Sequence, residues 1–215
     1  MARRSIAILI SGRGSNMVSL IEAARAPDFP AEIGLVLSNR PDAGGLARAA
    51  EAGVETLAID HKGFPDRESF DRAMDAVLRE RDIDLVCLAG FMRVLTPGFV
   101  GAWDGRMINI HPSLLPLFRG THTHERALEA GVLVHGCTVH FVVPELDAGP
   151  IVAQAVVPVV PGDTADSLAA RVLAQEHVLY PQALRMICSG EAELKAGRVM
   201  FRETWTGSIS LRSPA

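Results

Sequence analysis

What the chain lacks narrows its possibilities before any motif is read. Its three cysteines, Cys87, Cys137 and Cys188, stand far apart and form no C-x-x-C pair. That argues against a paired-cysteine metal site and a disulfide framework, and leaves buried free thiols in a reducing cytoplasm. Basic residues are not in excess: 21 Lys and Arg against 25 Asp and Glu leave a formal charge of −4. The basic stripe of a nucleic-acid binder is therefore missing, and any anionic substrate must be met by local groups. No stretch approaches the ~20 apolar residues of a membrane span. The opening MARRSIAILISGRG begins like a signal peptide, but Gly12, Arg13 and Gly14 end its apolar run too early. The expectation is a cytoplasmic protein whose partners are small molecules, with no nucleic acid and no membrane.

Several catalytic signatures are also absent. There is no G-x-S-x-G elbow, which argues against a serine hydrolase. His111, His122, His124, His135 and His140 crowd into about thirty residues, yet there is no H-E-x-x-H. His122 and His124 are read as loop residues rather than a helical pair, so no metal is expected.

What is present is an ordinary globular balance, 48% apolar and 21% charged over 215 residues, enough for one good core and short for two full domains. A single domain over 1–215 is expected, with halves of about 1–105 and 106–215. Short apolar runs, SIAILI, IGLVLS, VETLAI and DLVCLA, alternate with segments of helical spacing such as Met17, Leu20, Ile21, Ala24 and Phe70, Met74, Val77, Leu78. Continuous apolar strands separated by helices imply a parallel sheet covered on both faces. After MINIH come a loop rich in Pro and His, a short helix near Thr123 to Ala130, and two strands, HGCTVHFVV and IVAQAVVPV. The turn-rich PELDAGP between them predicts antiparallel pairing. A long helix from about Thr164, capped by Asp163 or Thr164, is expected to kink or divide at Pro181. The tail GRVMFRETWTG reads as a final edge strand. The fold class is thus α/β: a doubly wound, mostly parallel Rossmann-like sheet with antiparallel strands near the C-terminus.

Two stretches carry chemistry. In ISGRGSN, Gly12 and Gly14 allow close backbone approach to a ligand, while Ser15 and Asn16 can cap the following helix, whose free N–H groups suit an anion. A dinucleotide site wants G-x-G-x-x-G and an acidic residue ending the second strand; here the third glycine position is Met17 and the strand ends in Asn39 and Arg40. A phosphate on a smaller ligand fits better. An oxidoreductase with Arg40 on a 2′-phosphate remains an alternative at this point. In RMINIHPSLLP, Asn109 and His111 share one strand face just before Pro112 ends the ladder. Asn109 can hold a developing oxyanion, and His111 can carry a proton. Asp147, in the later turn, is placed to favour the imidazolium if it reaches the ring.

ISGRGSN, LAGFMRVL, INIHPSLLP, HTHERALEAG, GCTVHFVVPELDAGPI and QEHVLYP occur in the order found in glycinamide ribonucleotide formyltransferases, which the chain resembles from Ile6 to about Pro181. HPSLLP and LDAGPI are shared more widely among folate-dependent formyltransferases, so the ribonucleotide assignment leans on ISGRGSN and on the chain length. The resemblance implies transfer of a formyl group from 10-formyltetrahydrofolate, a co-substrate, in purine biosynthesis. It implies that Asn109 holds the formyl oxygen, His111 donates a proton and Asp147 supports the charged ring. Gly14, Ser15, Asn16 and Glu176 would bind the ribonucleotide. Arg67, Met92, Arg93, Val94, Leu95, Asn109, Val143, Pro144, Glu145, Leu146 and Asp147 would meet the folate. Monomer or weak homodimer is expected.

Overall fold

The computed structural model of the protein describes residues 3–202. Within them the chain forms two compact units. The first runs to Asn109 and also takes Phe141–Pro144; the second comprises Ile110–His140 and the described residues from Glu145 onward. The segment 141–144 thus groups with the first unit, although the sequence halves place it in the second.

The first unit is a parallel β/α array. β1 (Arg4–Ile10) pairs in parallel with β2 (Ala31–Ser38) and with β4 (Leu85–Leu88), while β2 also pairs with β3 (Thr56–Ala58) and β4 with β5 (Met107–His111), whose last two residues fall in the second unit. Ile6 to Ile10 are completely buried, which is why this run is continuously apolar rather than alternating. Helices α1 (Ser15–Ala24), α2 (Gly44–Glu51), α3 (Arg67–Glu80) and α4 (Pro97–Ala102) occupy the connections. The two helical spacings behave as predicted: Met17, Leu20, Ile21 and Ala24 are buried, and Phe70, Met74 and Leu78 join Leu9, Leu37, Val86 and Trp103 in one core cluster. Each such large side chain contributes about 1.5–3 kcal/mol of burial. Asp66 caps α3 by accepting from the Ser69 N–H at 2.7 Å.

The second unit contains α5 (Thr123–Glu129), β6 (Val134–Phe141, except its last residue), β7 (Ile151–Pro158) and α6 (Ala165–Cys188). β6 and β7 pair antiparallel, as the short connection predicts. Thr164 is the N-cap of α6, in a reciprocal capping box with Ser167. Pro181 neither divides nor ends α6, which is assigned as one helix of 24 residues. A proline inside a helix costs about 3 kcal/mol; Leu168, Val172, Leu179, Leu184 and Ile187, all buried along the same helix, outweigh it. The C-terminal expectation is also corrected. β8 (Ala192–Lys195) and β9 (Arg198–Phe201) form their own two-stranded antiparallel sheet instead of a single edge strand. Ala196 and Gly197 both have positive φ, 49° and 74°, the geometry of a tight two-residue hairpin. The remainder of that tail, from residue 203, lies outside the described residues.

Strands β1 to β7 belong to one sheet in the order β3-β2-β1-β4-β5-β6-β7. The order reverses at β1 and β4, because the chain builds outward from β1 to β3 and then returns to β1's other side. The carboxyl ends flanking such a reversal are where open α/β sheets bind ligands.

The β6–β7 pairing depends on one glycine. A Cβ at Gly136 would overlap the carbonyl oxygen of Ala155 on the paired strand. Neither strand can yield without losing ladder hydrogen bonds, so Gly136→Ala should lower stability by about 1–3 kcal/mol in chemical denaturation.

Candidate active site

In the first unit, the loop after β1 adopts the conformation its glycines permit. Gly14 has φ 67° and is the N-cap of α1. Capping by Ser15 or Asn16 is not observed, and the reason is register: the helix already starts at Ser15, so its hydroxyl comes one position too late. Asn16 is buried and Ser15 half-buried. The N-terminus of α1 has neither a side-chain cap nor an acidic residue in its first turn, an arrangement that suits an anion. A support that sequence reading missed is Gly45, at the start of α2. Its N–H donates to the Gly12 carbonyl at 3.0 Å, and a Cβ there would stand 2.9 Å from that oxygen and 2.5 Å from Ile10 Cδ1. The GG pair in PDAGG was the available signal. Arg40 is held by Asp42, with Nη2 3.0 Å from Oδ2.

The segment at the end of β4 shows an unusual division. Met92 and Val94 are 71% and 60% exposed, yet the chain carrying them is anchored at both ends. The Met92 N–H donates to Ser11 Oγ at 2.8 Å, and the Thr96 N–H donates to buried Asp71 at 2.7 Å. Arg93 lies 4.8 Å over the Phe70 ring, and Leu95 is buried. The result is a held backbone presenting apolar side chains, which suits a flat heteroaromatic ligand. Arg67 is the exposed first residue of α3. Val143 is half-buried, Pro144 is exposed, and Asn109 is half-buried on β5.

In the second unit, His111 and Asp147 come together. His111 Nδ1 lies 3.4 Å from Asp147 Oδ2, and both side chains are less than a tenth exposed. The approach depends on a residue in the left-handed region: Asp147 has φ 49°, which Asp tolerates better than most residues. The carboxylate also accepts the Gly120 N–H at 2.8 Å, and its other oxygen lies 3.9 Å from His140 Nε2. His111 Nε2 stands 3.0 Å from the Phe118 carbonyl. Both ring nitrogens of His111 therefore face groups that can only accept.

The loop after β5 is held by polar contacts that no motif announced. Buried Thr138 donates to the Ser113 carbonyl at 2.7 Å and accepts from the Leu115 N–H at 3.1 Å, while Gln154 donates to the Leu115 carbonyl at 2.9 Å. Phe118 itself has φ 53°, a conformation that costs a bulky residue about 1–3 kcal/mol. Its compensation is visible: the ring packs edge-on against His135 and under the Arg126 guanidinium, and its carbonyl meets His111. Arg119 pairs with Glu145 at 2.8 Å, and Leu146 is 58% exposed.

His124 is not a loop residue as expected; it lies in the first turn of α5, with His122 as the N-cap. The reading placed the helix correctly and its histidine wrongly. Glu176 is buried on α6. Burial, and after it the nearby Glu176 charge, push the Cys137 thiol up to about 12. That thiol is chemically quiet.

The formyl transferase family matches residues 4–184. The chain is 51% identical over 189 residues to the trifunctional purine biosynthetic protein adenosine-3 of Homo sapiens, covering 88% of this chain and 19% of that protein. It is 45% identical over 190 residues to the phosphoribosylglycinamide formyltransferase of Escherichia coli (strain K12), covering 88% of this chain and 90% of that one. Glycinamide ribonucleotide transformylase 1 from Symbiobacterium toebii superposes with a TM-score of 0.90 at 44% identity, covering 93% of this chain and 94% of that one. The chain therefore spans about a fifth of the trifunctional human relative and nine-tenths or more of these two bacterial ones.

His135 generates a pH prediction. It is fully buried, its ring centroid 5.3 Å from that of His124. Burial, followed by the His124 ring, lowers it from 6.5 to about 4, against the weaker pull of the Pro112 carbonyl. In the unfolded chain it gains its proton near 6.5. Between those values the unfolded state binds more protons, so stability is lost as pH falls from about 6.5 to about 4. Denaturation midpoints measured across that window should decline with pH, and His135→Gln should reduce the decline. His124, also lowered by burial, accounts for a further part.

Proposed function

Because the chain belongs to the formyl transferase family, we propose that it transfers the formyl group of 10-formyltetrahydrofolate to the amine of glycinamide ribonucleotide. The products are formylglycinamide ribonucleotide and tetrahydrofolate, a step of purine biosynthesis. The chain acts as one formyltransferase domain over 1–215, on small molecules, in the cytoplasm, as a monomer or weak homodimer.

The chemistry follows from the residue types. The glycinamide amine attacks the formyl carbon, and the former carbonyl oxygen gains negative charge. The Asn109 amide donates to that oxygen, and His111 supplies a proton to the tetrahedral species. Asp147, 3.4 Å behind the ring, fixes its orientation and compensates its charge. The carbonyl re-forms as the bond to the folate nitrogen breaks; that nitrogen takes up the proton from His111, the attacking nitrogen gives one of its own protons back to His111, and tetrahydrofolate leaves with no net proton gained or lost. The glycine loop at Gly14, Ser15 and Asn16 receives the ribonucleotide phosphate, and Glu176 its ribose hydroxyls. The folate lies against Met92–Leu95, Val143–Asp147 and Asn109, with Arg67 toward its carboxylates.

The observation that carries this reading is the buried His111–Asp147 pair in a chain whose Escherichia coli relative is named for this activity. Arg40, which an NADP-dependent oxidoreductase would need on its 2′-phosphate, is paired with Asp42. Purified protein mixed with both substrates should deformylate the folate only when the ribonucleotide is present, as followed by absorbance. Absence of turnover would overturn the reading, and formate release from folate in water alone would favour a hydrolase. Asn109→Ala and His111→Ala should each lower kcat by about 10²–10⁴ while the thermal transition stays sharp. Near-normal turnover in either removes that residue from the mechanism.

A further inference from the structure

At the reversal point of the strand order, one small side chain joins the two ligand-facing segments of the first unit. Ser11 follows β1 directly and opens the glycine loop; Gly90 to Leu95 follow β4. The Ser11 N–H donates to the Gly90 carbonyl at 3.1 Å, continuing the β1–β4 ladder past its end. Its hydroxyl then does two things. It donates to Asn39 Oδ1 at 2.6 Å and accepts the Met92 N–H at 2.8 Å. Ser11 is 6% exposed and Asn39 2% exposed, so water does not compete for these groups.

The direction of the hydroxyl is set from behind. Asn39 ends β2's exit, and His61 stands against it, with Nδ1 2.8 Å from the Asn39 carbonyl and 3.2 Å from its side-chain nitrogen. Asn39 Oδ1 faces Ser11, so the Ser11 proton has one partner. The oxygen's lone pairs are left for Met92. Nothing else in the segment 91–95 is part of a helix or strand. Its backbone is fixed by this bond at one end and by Asp71 on the Thr96 N–H at the other.

We propose that Ser11, oriented by Asn39, is a positioning residue that sets the Met92–Leu95 backbone for the folate co-substrate. This rests on the function proposed above, in which that segment meets the folate. Ser11 touches neither substrate; it acts through Met92. The consequence is selective. Loss of the hydroxyl frees the Met92 amide and lets the segment relax, which weakens folate binding and leaves the chemistry at His111 in place. Buried hydrogen bonds of this kind are worth about a factor of ten in an equilibrium.

The test compares Ser11→Ala, Ser11→Cys and Ser11→Thr with the unaltered protein in steady-state kinetics, together with tetrahydrofolate binding by calorimetry. Ser11→Cys keeps the volume but accepts weakly, which gives the same readout should the alanine variant fold poorly. Ser11→Thr keeps the hydroxyl. The expected result is a folate KM and a tetrahydrofolate Kd raised about tenfold in the Ala and Cys variants, kcat within about threefold, and recovery in Ser11→Thr. An unchanged folate KM, or an equal fall in kcat with no recovery by threonine, overturns the proposal while leaving the proposed reaction standing. An unaltered protein that neither binds tetrahydrofolate nor turns over overturns both.

Discussion

The carboxylate of Asp147 ties three separate pieces of chain into one arrangement. One oxygen lies 3.4 Å from His111 and accepts the Gly120 N–H, and the other faces His140. A carboxylate so enclosed needs every one of those partners, because burial without them would cost several kcal/mol. Much of the second unit follows from that need. The left-handed backbone at Asp147 aims the carboxylate at the ring, and the left-handed backbone at Phe118 brings the next acceptor to the ring's other nitrogen. The Thr138–Ser113–Gln154 contacts keep the intervening loop from relaxing.

The first unit solves a different problem with different means. It presents backbone rather than titratable side chains. Gly14 turns the chain so that α1 begins with neither a side-chain cap nor an acidic residue in its first turn, and Gly45 lets α2 close against that turn. Ser11 and Asp71 hold an irregular segment by its amides while its apolar side chains stay exposed. Such sites are precise because their donors belong to chain that is fixed at both ends.

Much of this was legible in the sequence, for reasons that differ from element to element. The strands of the parallel array were visible because burial on both faces demands unbroken apolar runs, and α3 because Phe70, Met74 and Leu78 recur at the helical period. Asn109 and His111 stood out because a strand rarely ends in two polar residues on one face. The approach of Asp147 to His111 was only an expectation, since it depends on one backbone angle that no pattern encodes. Ser15 and Asn16 looked like caps because their types are right, and the register of α1 decided otherwise. Pro181 looked like a break because propensity is local, whereas the burial that overrides it is tertiary. The roles of the Phe118 carbonyl and of the Ser11 hydroxyl were beyond reach, because the first is a main-chain group and the second meets one, the Met92 N–H, and no residue type marks either.

Central to the proposed reaction is that the Asp147 carboxylate works through His111, while any contact of the 143–147 segment with the folate is made by its backbone. The most direct measurement is steady-state kinetics of Asp147→Asn, a replacement that keeps shape and loses charge. The account predicts a kcat lowered by about 10²–10⁴ with both substrate KM values within about threefold. An Asp147→Asn protein with unaltered kcat, or one whose loss lies wholly in KM, would contradict it.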